Sequence, residues 1–336
     1  MTIQRQQRPA TQADVAREVG VSRTLVSFAF RGTSGVSDET RQAIFDAAKR
    51  LGYRHNAAAA ALASKQRTAV GLYLLDLRNE VFSDVLNGVR LALPQARNRL
   101  ILSVSRSIGG EDQGALDSLI EARVGIIIAA TLLDPDERVR ELAQMVPVVS
   151  VTRRVEGVDS VYPDDHAGAR AAVEHLLGLG HTRIAHLAGP QFDGHTVRRE
   201  AYEQIMRSAG LTPQTVAAGD FTHEAGERAA AELLAGPDRP TAVFTHNDQF
   251  ALGVREAAYA MGLTIPGDLS LVGYDDSPTA RLHGIDLTSV DLHAVELGKI
   301  AGSVALERLN DPGAPIADRC ITPQLVVRRS TAPSAS

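Results

Sequence analysis

Apolar positions in this chain change their period near residue 68. Before that point they recur every three or four residues, the spacing of one helix face. In "TQADVAREVG", Thr11 stands as N-cap with Asp14 three residues on, a capping-box spacing. Ala13, Val15, Ala16 and Val19 form its buried stripe. Gly20 permits a tight turn, and Ser22 can cap a second helix. In "GVSRTLVSFAFRG" a helix starting after Ser22 puts Leu25, Val26, Ala29 and Phe30 on one side. Arg23, Thr24, Ser27, Phe28 and Arg31 fall on the other. Helix, short turn with glycine, helix is a helix-turn-helix arrangement. A third helix follows in "GVSDETRQAIFDAAKRLGY", capped by Ser37, buried through Ile44, Phe45, Ala48 and Leu51, and stopped at Gly52. Ala57 to Ala61 then precede Leu62. Alanine favours helix, yet so short a segment is marginal in water and should become helical only when docked.

From residue 68 onward, short apolar runs alternate with helical patterns. "AVGLYLL", "RLILSV", "VGIIIAA", "VPVVSV", "RIAHLAG", "TAVFT" and "LSLVGYD" predict strands. Residues 82–95, 134–145, 166–179, 198–209, 223–235, 248–261 and 293–309 predict helices. Such alternation makes parallel, doubly wound sheets covered on both faces. The strands are too many for one sheet, so two similar lobes are expected. The domain reading is 1–55, a helical head; 56–67, a hinge; and 68–330, a two-lobed body. Lobe 1 spans about 68–163 and 293–322, and lobe 2 about 164–292 and 323–330. The tail, 331–336, is expected to lack order.

Charge sharpens the division. Residues 1–67 hold 11 Lys+Arg against 5 Asp+Glu, a net +6, and the remainder holds 24 against 35, a net −11. A basic head on an acidic body suggests that the head alone meets a polyanion. The single cysteine, Cys320, excludes an intramolecular disulfide and is expected in the core. The N-terminus lacks the apolar region of a secretory signal, and no apolar run is long enough for a membrane helix. A cytoplasmic protein is the expectation.

The side of the second helix bearing Arg23, Thr24 and Phe28 suits a DNA major groove, where base edges offer acceptors and thymine a methyl group. Ser27, Arg31 and the helix N-terminus can hold phosphates. Alternatively, Phe28 packs under a neighbouring element and Arg23 is merely solvated. In the body, ligands are expected beyond the carboxyl ends of the strands. Those ends carry Asp76, Arg153, Asn247 with Asp248, and Asp275 with Asp276. Two facing lobes could close there around a small molecule. Helix capping and turn formation are the plainer roles for Asp275 and Asp276.

The ten histidines show no metal-ligand spacing, and His175 and His181 read as structural. There is no HExxH, CxxC or P-loop lysine. Asp248 and Asp275 could be imagined as an acid/base pair, but no nucleophile accompanies them. No cofactor and no metal are expected. A solute-binding protein and an enzyme remain rivals; the basic head argues against the first and the empty catalytic inventory against the second.

Several stretches, in order, resemble the lac-repressor (LacI/GalR) family of bacterial transcription regulators. "TQADVAREVGVSRTLVSFAF" is similar to its DNA-binding head, and "VSDETRQAIFDAAKRLGYRHNAAAAALAS" to its third helix and hinge. "AVGLYLLDLRNEVFSDVLNGV", "DDHAGARAAVEHLLGLGHTRIAHLAGP", "HNDQFALGVREAAYAMGLTIPGDLSLVGYDD" and "ITPQLVVRRST" resemble its effector core. The resemblance implies an all-α head on a two-lobe, periplasmic-binding-protein-like core. It implies that Arg23, Thr24 and Phe28 read bases, that Thr11 belongs to the DNA-binding set, and that Asn56 opens a hinge whose Leu62 wedges into the minor groove. Relatives often carry Arg in place of Phe28 and of Ala60. It further implies that Arg198, Asn247 and Asp275 bond a sugar-like effector, with Phe221 against it and Asn79 and Phe82 lining lobe 1. Arg199 rivals Arg198, because the loop before it is one residue longer than the family pattern. The implied protein is a homodimeric repressor on near-palindromic operator DNA, with the effector acting as inducer.

Overall fold

The computed structural model describes residues 8, 10–31, 34–53, 69–94, 99–105, 113–190 and 196–334. The chain divides into two compact units, Met1–Arg67 and Thr68–Ser336.

The first unit contains α1 (Gln12–Val19), α2 (Arg23–Arg31) and α3 (Asp38–Leu51). The Thr11–Asp14 capping box forms in full. The Thr11 amide and hydroxyl bond Asp14 and hold its carboxyl down at about 2. Gly20 and Gly52 end their helices in the left-handed region, and Ser37 accepts from the Thr40 amide. Val15, Ala16, Val26, Ala29, Ile44, Ala47 and Ala48 make a small core. The stripe expected on α3 is corrected in part. Ala47 is buried, whereas Phe45 and Leu51 are 38% and 37% exposed. Phe45 instead meets the Phe30 ring at 5.2 Å, at the edge of the core.

The second unit holds two six-stranded sheets. One contains β1 (Val70–Leu74), β2 (Leu100–Val104), β3 (Ile126–Ala130), β4 (Val148–Val151), β5 (Asp159–Pro163) and β11 (Asp318–Ile321). Its order is β11-β5-β4-β3-β1-β2, parallel throughout. The other contains β6 (Ile184–Ala188), β7 (Gln214–Ala217), β8 (Ala242–Thr245), β9 (Ser270–Tyr274), β10 (Thr288–Asp291) and β12 (Gln324–Val326). Its order is β12-β10-β9-β8-β6-β7, and only β12 is antiparallel. Central strands are buried on both faces, which is why they read as unbroken apolar runs.

Helices α4 (Val81–Ala92), α5 (Gln113–Glu121), α6 (Asp136–Met145) and α11 (Ala294–Asn310) belong to the first lobe. Helices α7 (Asp165–Gly178), α8 (Val197–Ser208), α9 (His223–Ala235) and α10 (Asp248–Ala260) belong to the second. α4 lies against α11 at glycine distance. A Cβ on Gly88 would stand 2.0 Å from the Val295 carbonyl oxygen, and one on Gly298 2.2 Å from that of Val85. The chain crosses between lobes three times: after β5, after β10 and after β11.

Two expectations fail in this unit. Cys320 is exposed, because β11 is an edge strand. The tail expected to lack order is held over residues 331–334. Thr331 meets His175 Nε2 at 3.0 Å, the Ala332 amide donates to Ser270 Oγ, and the Ser334 amide donates to the Leu179 carbonyl. His175 and His181 are structural, as read. His181 bridges Thr241, Ser270 and the Ala332 carbonyl, and burial pushes both rings below their usual pKa.

Candidate functional site

In each sheet the chain order reverses beside one strand: β2 and β3 flank β1, and β7 and β8 flank β6. The carboxyl end of such a switch point is a natural crevice, because the following segments part in opposite directions. The two switch points of this body meet in one cleft between the lobes. Leu75 and Asp76 after β1, Thr131 after β3 and Thr152 after β4 supply the lobe 1 wall, with Asn79, Val81 and Phe82 at the start of α4. His246 and Asn247 after β8, Asp275 after β9, Asp165, Arg198 and Phe221 supply the lobe 2 wall.

Arg198 is the centre of a buried network. Its Nε donates to Asp165 at 3.0 Å, one terminal nitrogen donates to the His246 carbonyl at 2.5 Å, and its guanidinium lies 3.6 Å from the Tyr274 ring centroid. Burial works against the charge, but Asp165, Tyr274 and Asp275 outweigh it and raise the pKa above the usual arginine value. The Tyr274 hydroxyl donates to the same Asp165 oxygen at 2.7 Å. That approach needs Gly168 on α7, where a Cβ would stand 2.3 Å from the hydroxyl oxygen.

Asp275 sits in the left-handed region at φ 110° and is 7% exposed. One carboxylate oxygen stands 4.0 Å from Arg198, and the other accepts from the Asn79 amide at 3.2 Å across the cleft. Burial pushes its carboxyl well above the ordinary carboxylate range, against the pull of Arg198. Asn247 caps α10, its side-chain oxygen accepting from the Phe250 amide at 3.0 Å. Phe221 faces the His246 ring at 5.3 Å. Asp76 is clamped by Arg78 at the rim, 3.0 Å away. The rim is tied twice more, by Gln249 donating to the Arg78 carbonyl and the Thr279 amide donating to Glu80.

Seven of the eight effector-site residues read from the sequence therefore share one cavity: Asp76, Asn79, Phe82, Arg198, Phe221, Asn247 and Asp275. Arg153 does not. Thr152, left-handed at φ 78°, takes the cleft position. The buried Arg153 side chain runs back to the Asp134 carbonyl at 2.6 Å and to Asp136 at 3.3 Å. Of the rival arginines, Arg198 lines the cleft and Arg199 faces Glu203. Asp276 points elsewhere, pairing with Arg281 and Arg328. Asp248 is buried beneath, bonded to Ser289 and the Ser277 amide, with burial raising its carboxyl. Asp165, Thr131, Thr152 and His246 were missed; Asp165 opens a helix in "PDDHAG", a position that reads first as a cap.

In the first unit, Arg23 and Thr24 are exposed on the opening turn of α2, and Ser27 and Phe28 are half-buried on the same helix. Ser22 accepts from the Leu25 amide at 3.1 Å, and Thr11 is engaged in its capping box. The Arg31 side chain, Asn56 and Leu62 lie outside the described residues. Among the described residues no cluster of metal-ligand type is found, and no helix is long and apolar enough to cross a membrane.

A helix-turn-helix unit in one chain with a two-lobed body and a polar interlobe cleft defines a ligand-responsive DNA-binding regulator. Residues 11–56 match the model for bacterial regulatory proteins of the lacI family, and residues 173–331 that for a periplasmic binding protein-like domain. The HTH-type transcriptional regulator GalS of Salmonella typhimurium is 32% identical over 328 residues, 96% of either chain. The crystal structure of the lac repressor dimer bound to operator and the anti-inducer ONPF superposes with a TM-score of 0.82. It is 28% identical and covers 97% of this chain and 100% of its own. The transcriptional regulator CelR–cellobiose complex superposes at 0.70, with 28% identity over 96% of this chain and 99% of its own. The chain belongs to the lacI family of bacterial regulatory proteins.

Proposed function

We propose that this protein is a transcriptional repressor that binds near-palindromic operator DNA as a homodimer and loosens its hold when a sugar-like inducer enters the interlobe cleft. The observation that carries the reading is the convergence of Arg198, Asn247 and Asp275 on one cleft with Phe221 beside them. Paired donors and acceptors with an aromatic wall suit a polyol, whose hydroxyls do both and whose ring presents C–H faces. The cellobiose complex of CelR supports a sugar, and the operator-bound lac repressor dimer supports both the DNA and the homodimer. Arg23, Thr24 and Phe28 are assigned to base edges; Thr11, Ser22, Ser27 and Arg31 to the backbone; Asn56 and Leu62 to the hinge at the operator centre. The role is regulatory, without catalysis or cofactor, and is exercised in the cytoplasm where operator DNA lies.

The test is selection of binding sites from randomised duplex DNA by full-length protein, followed by mobility-shift titration of the enriched site with and without sugars. Enrichment of a near-palindrome whose complex one class of sugar weakens is the expected result. Failure to prefer any site over bulk competitor overturns the reading.

A further inference from the structure

The charges of the cleft define its effector further. Arg198 is the one Lys or Arg side chain among the described residues lining it, against three carboxylates: Asp76, Asp165 and Asp275. Its guanidinium is already answered by Asp165 at 3.0 Å, Asp275 at 4.0 Å, the Tyr274 ring and the His246 carbonyl. At the rim, Arg78 is held by Asp76. With Asp275 ionised, these five groups carry a surplus negative charge; with Asp275 protonated, they balance. In neither state is a positive charge left over.

Three helix N-termini at the cleft, the usual alternative for anions, are answered by side chains, while Thr196 at the start of α8 makes no such cap. Asn79 Oδ1 accepts from the Val81 amide at the start of α4, Asp164 from the Ala167 amide at α7, and Asn247 from the Phe250 amide at α10. Apolar surface from Leu75, Val81, Phe82 and Leu292 lines the same cavity.

We propose that the effector is an uncharged sugar or polyol, and that the cleft rejects its phosphate ester. This rests on the effector reading above. A phosphate dianion closed into this cavity would lose its hydration with no unengaged Lys or Arg among the described lining residues to replace it. Hydroxyl groups, by contrast, find partners at Asp275, Asn247, Thr131 and Thr152. The regulator therefore reports the free sugar and not its ester.

The experiment is calorimetric titration of the full-length protein with matched pairs: ribose and ribose 5-phosphate, glucose and glucose 6-phosphate, galactose and galactose 1-phosphate, with inorganic phosphate and cellobiose alongside. At least one neutral sugar is expected to bind, with its ester weaker by at least about 100-fold, the scale of an unpaired buried charge. Asp76→Asn, which releases Arg78, should narrow that gap. An ester that binds as tightly as its parent sugar overturns the neutral-effector inference and leaves the sugar reading standing. Absence of binding by every member of the panel overturns the sugar reading itself, and this inference with it.

Discussion

At the scale of single residues, the cleft works through groups whose ionisation is set by their surroundings. Asp275 is buried, so its carboxyl is pushed up, while Asp165 and Tyr274 keep Arg198 charged. Asp275→Asn and Arg198→Met are expected to retain operator binding and lose the sugar response; a mobility shift with and without sugar reads both. Survival of the response in both variants would remove the pocket assignment. In the head, Arg23→Ala and Phe28→Ala should relax base preference by about 1–3 kcal/mol at the affected positions, read by repeating the randomised-site selection. Asn247, Asp275 and Asp76 were legible because they follow apolar runs, where a strand must end in polar residues at a crevice. Arg153 sits at the same kind of strand end, yet a left-handed Thr152 displaces it from the cleft. Backbone handedness at a non-glycine residue leaves no mark in the pattern of apolar positions.

At the scale of elements, one residue can hold a helix and serve the site together. Asn247 caps α10 through its oxygen, so Asn247→Asp should keep the cap while losing the amide donor. Asn247→Ala should lose both and destabilise the body by about 1 kcal/mol. Thermal melts and sugar titrations of the two variants separate the roles. His186 on β6 shows another coupling. Its Nδ1 lies 2.9 Å from the Phe244 carbonyl, it stacks on the Phe244 ring, and burial pulls its pKa from 6.5 to about 3. The unfolded chain takes that proton below pH 6.5 and the folded chain does not, so stability is full above 6.5 and falls as pH drops toward 3. The slope reaches about 1.4 kcal/mol per pH unit. Asp248 acts in the opposite sense, since its raised carboxyl loses stability as pH rises. The His186 contribution is therefore read as the difference between wild type and His186→Phe in denaturant titrations across that range. Most body helices and the strands β1, β2, β3, β4, β6, β8 and β9 were legible, because burial on one stripe or on both faces leaves a period. β5 and β10 were not, since DSVYP and TSVD are buried yet carry polar residues beside the apolar ones; nor were β7, β11 and β12. The last three are short strands at sheet edges, half-buried or exposed, and their composition is that of loops.

At the scale of the whole molecule, the proposed regulation is a coupling between two sites, and coupling is reciprocal. Operator DNA should lower sugar affinity by the same factor by which sugar lowers operator affinity. Calorimetry with and without operator checks this, and unequal factors would rule out simple linkage. Operator affinity should also fall steeply with salt, by roughly a thousandfold or more between 50 and 200 mM if six or more phosphates are contacted. The basic head and acidic body, the helix-turn-helix with its caps and the doubly wound alternation were all determined by the sequence alone. Local propensity and burial period act over a few residues and are written directly along the chain. Only the tertiary structure decided that both switch points open onto one cleft, that Arg198 rather than Arg199 enters it, that Asp165 neutralises Arg198 there, and that residues 331–334 dock on lobe 2. Those outcomes join residues far apart in the chain, and charge balance in a cavity depends on which of them meet, not on where they lie in sequence.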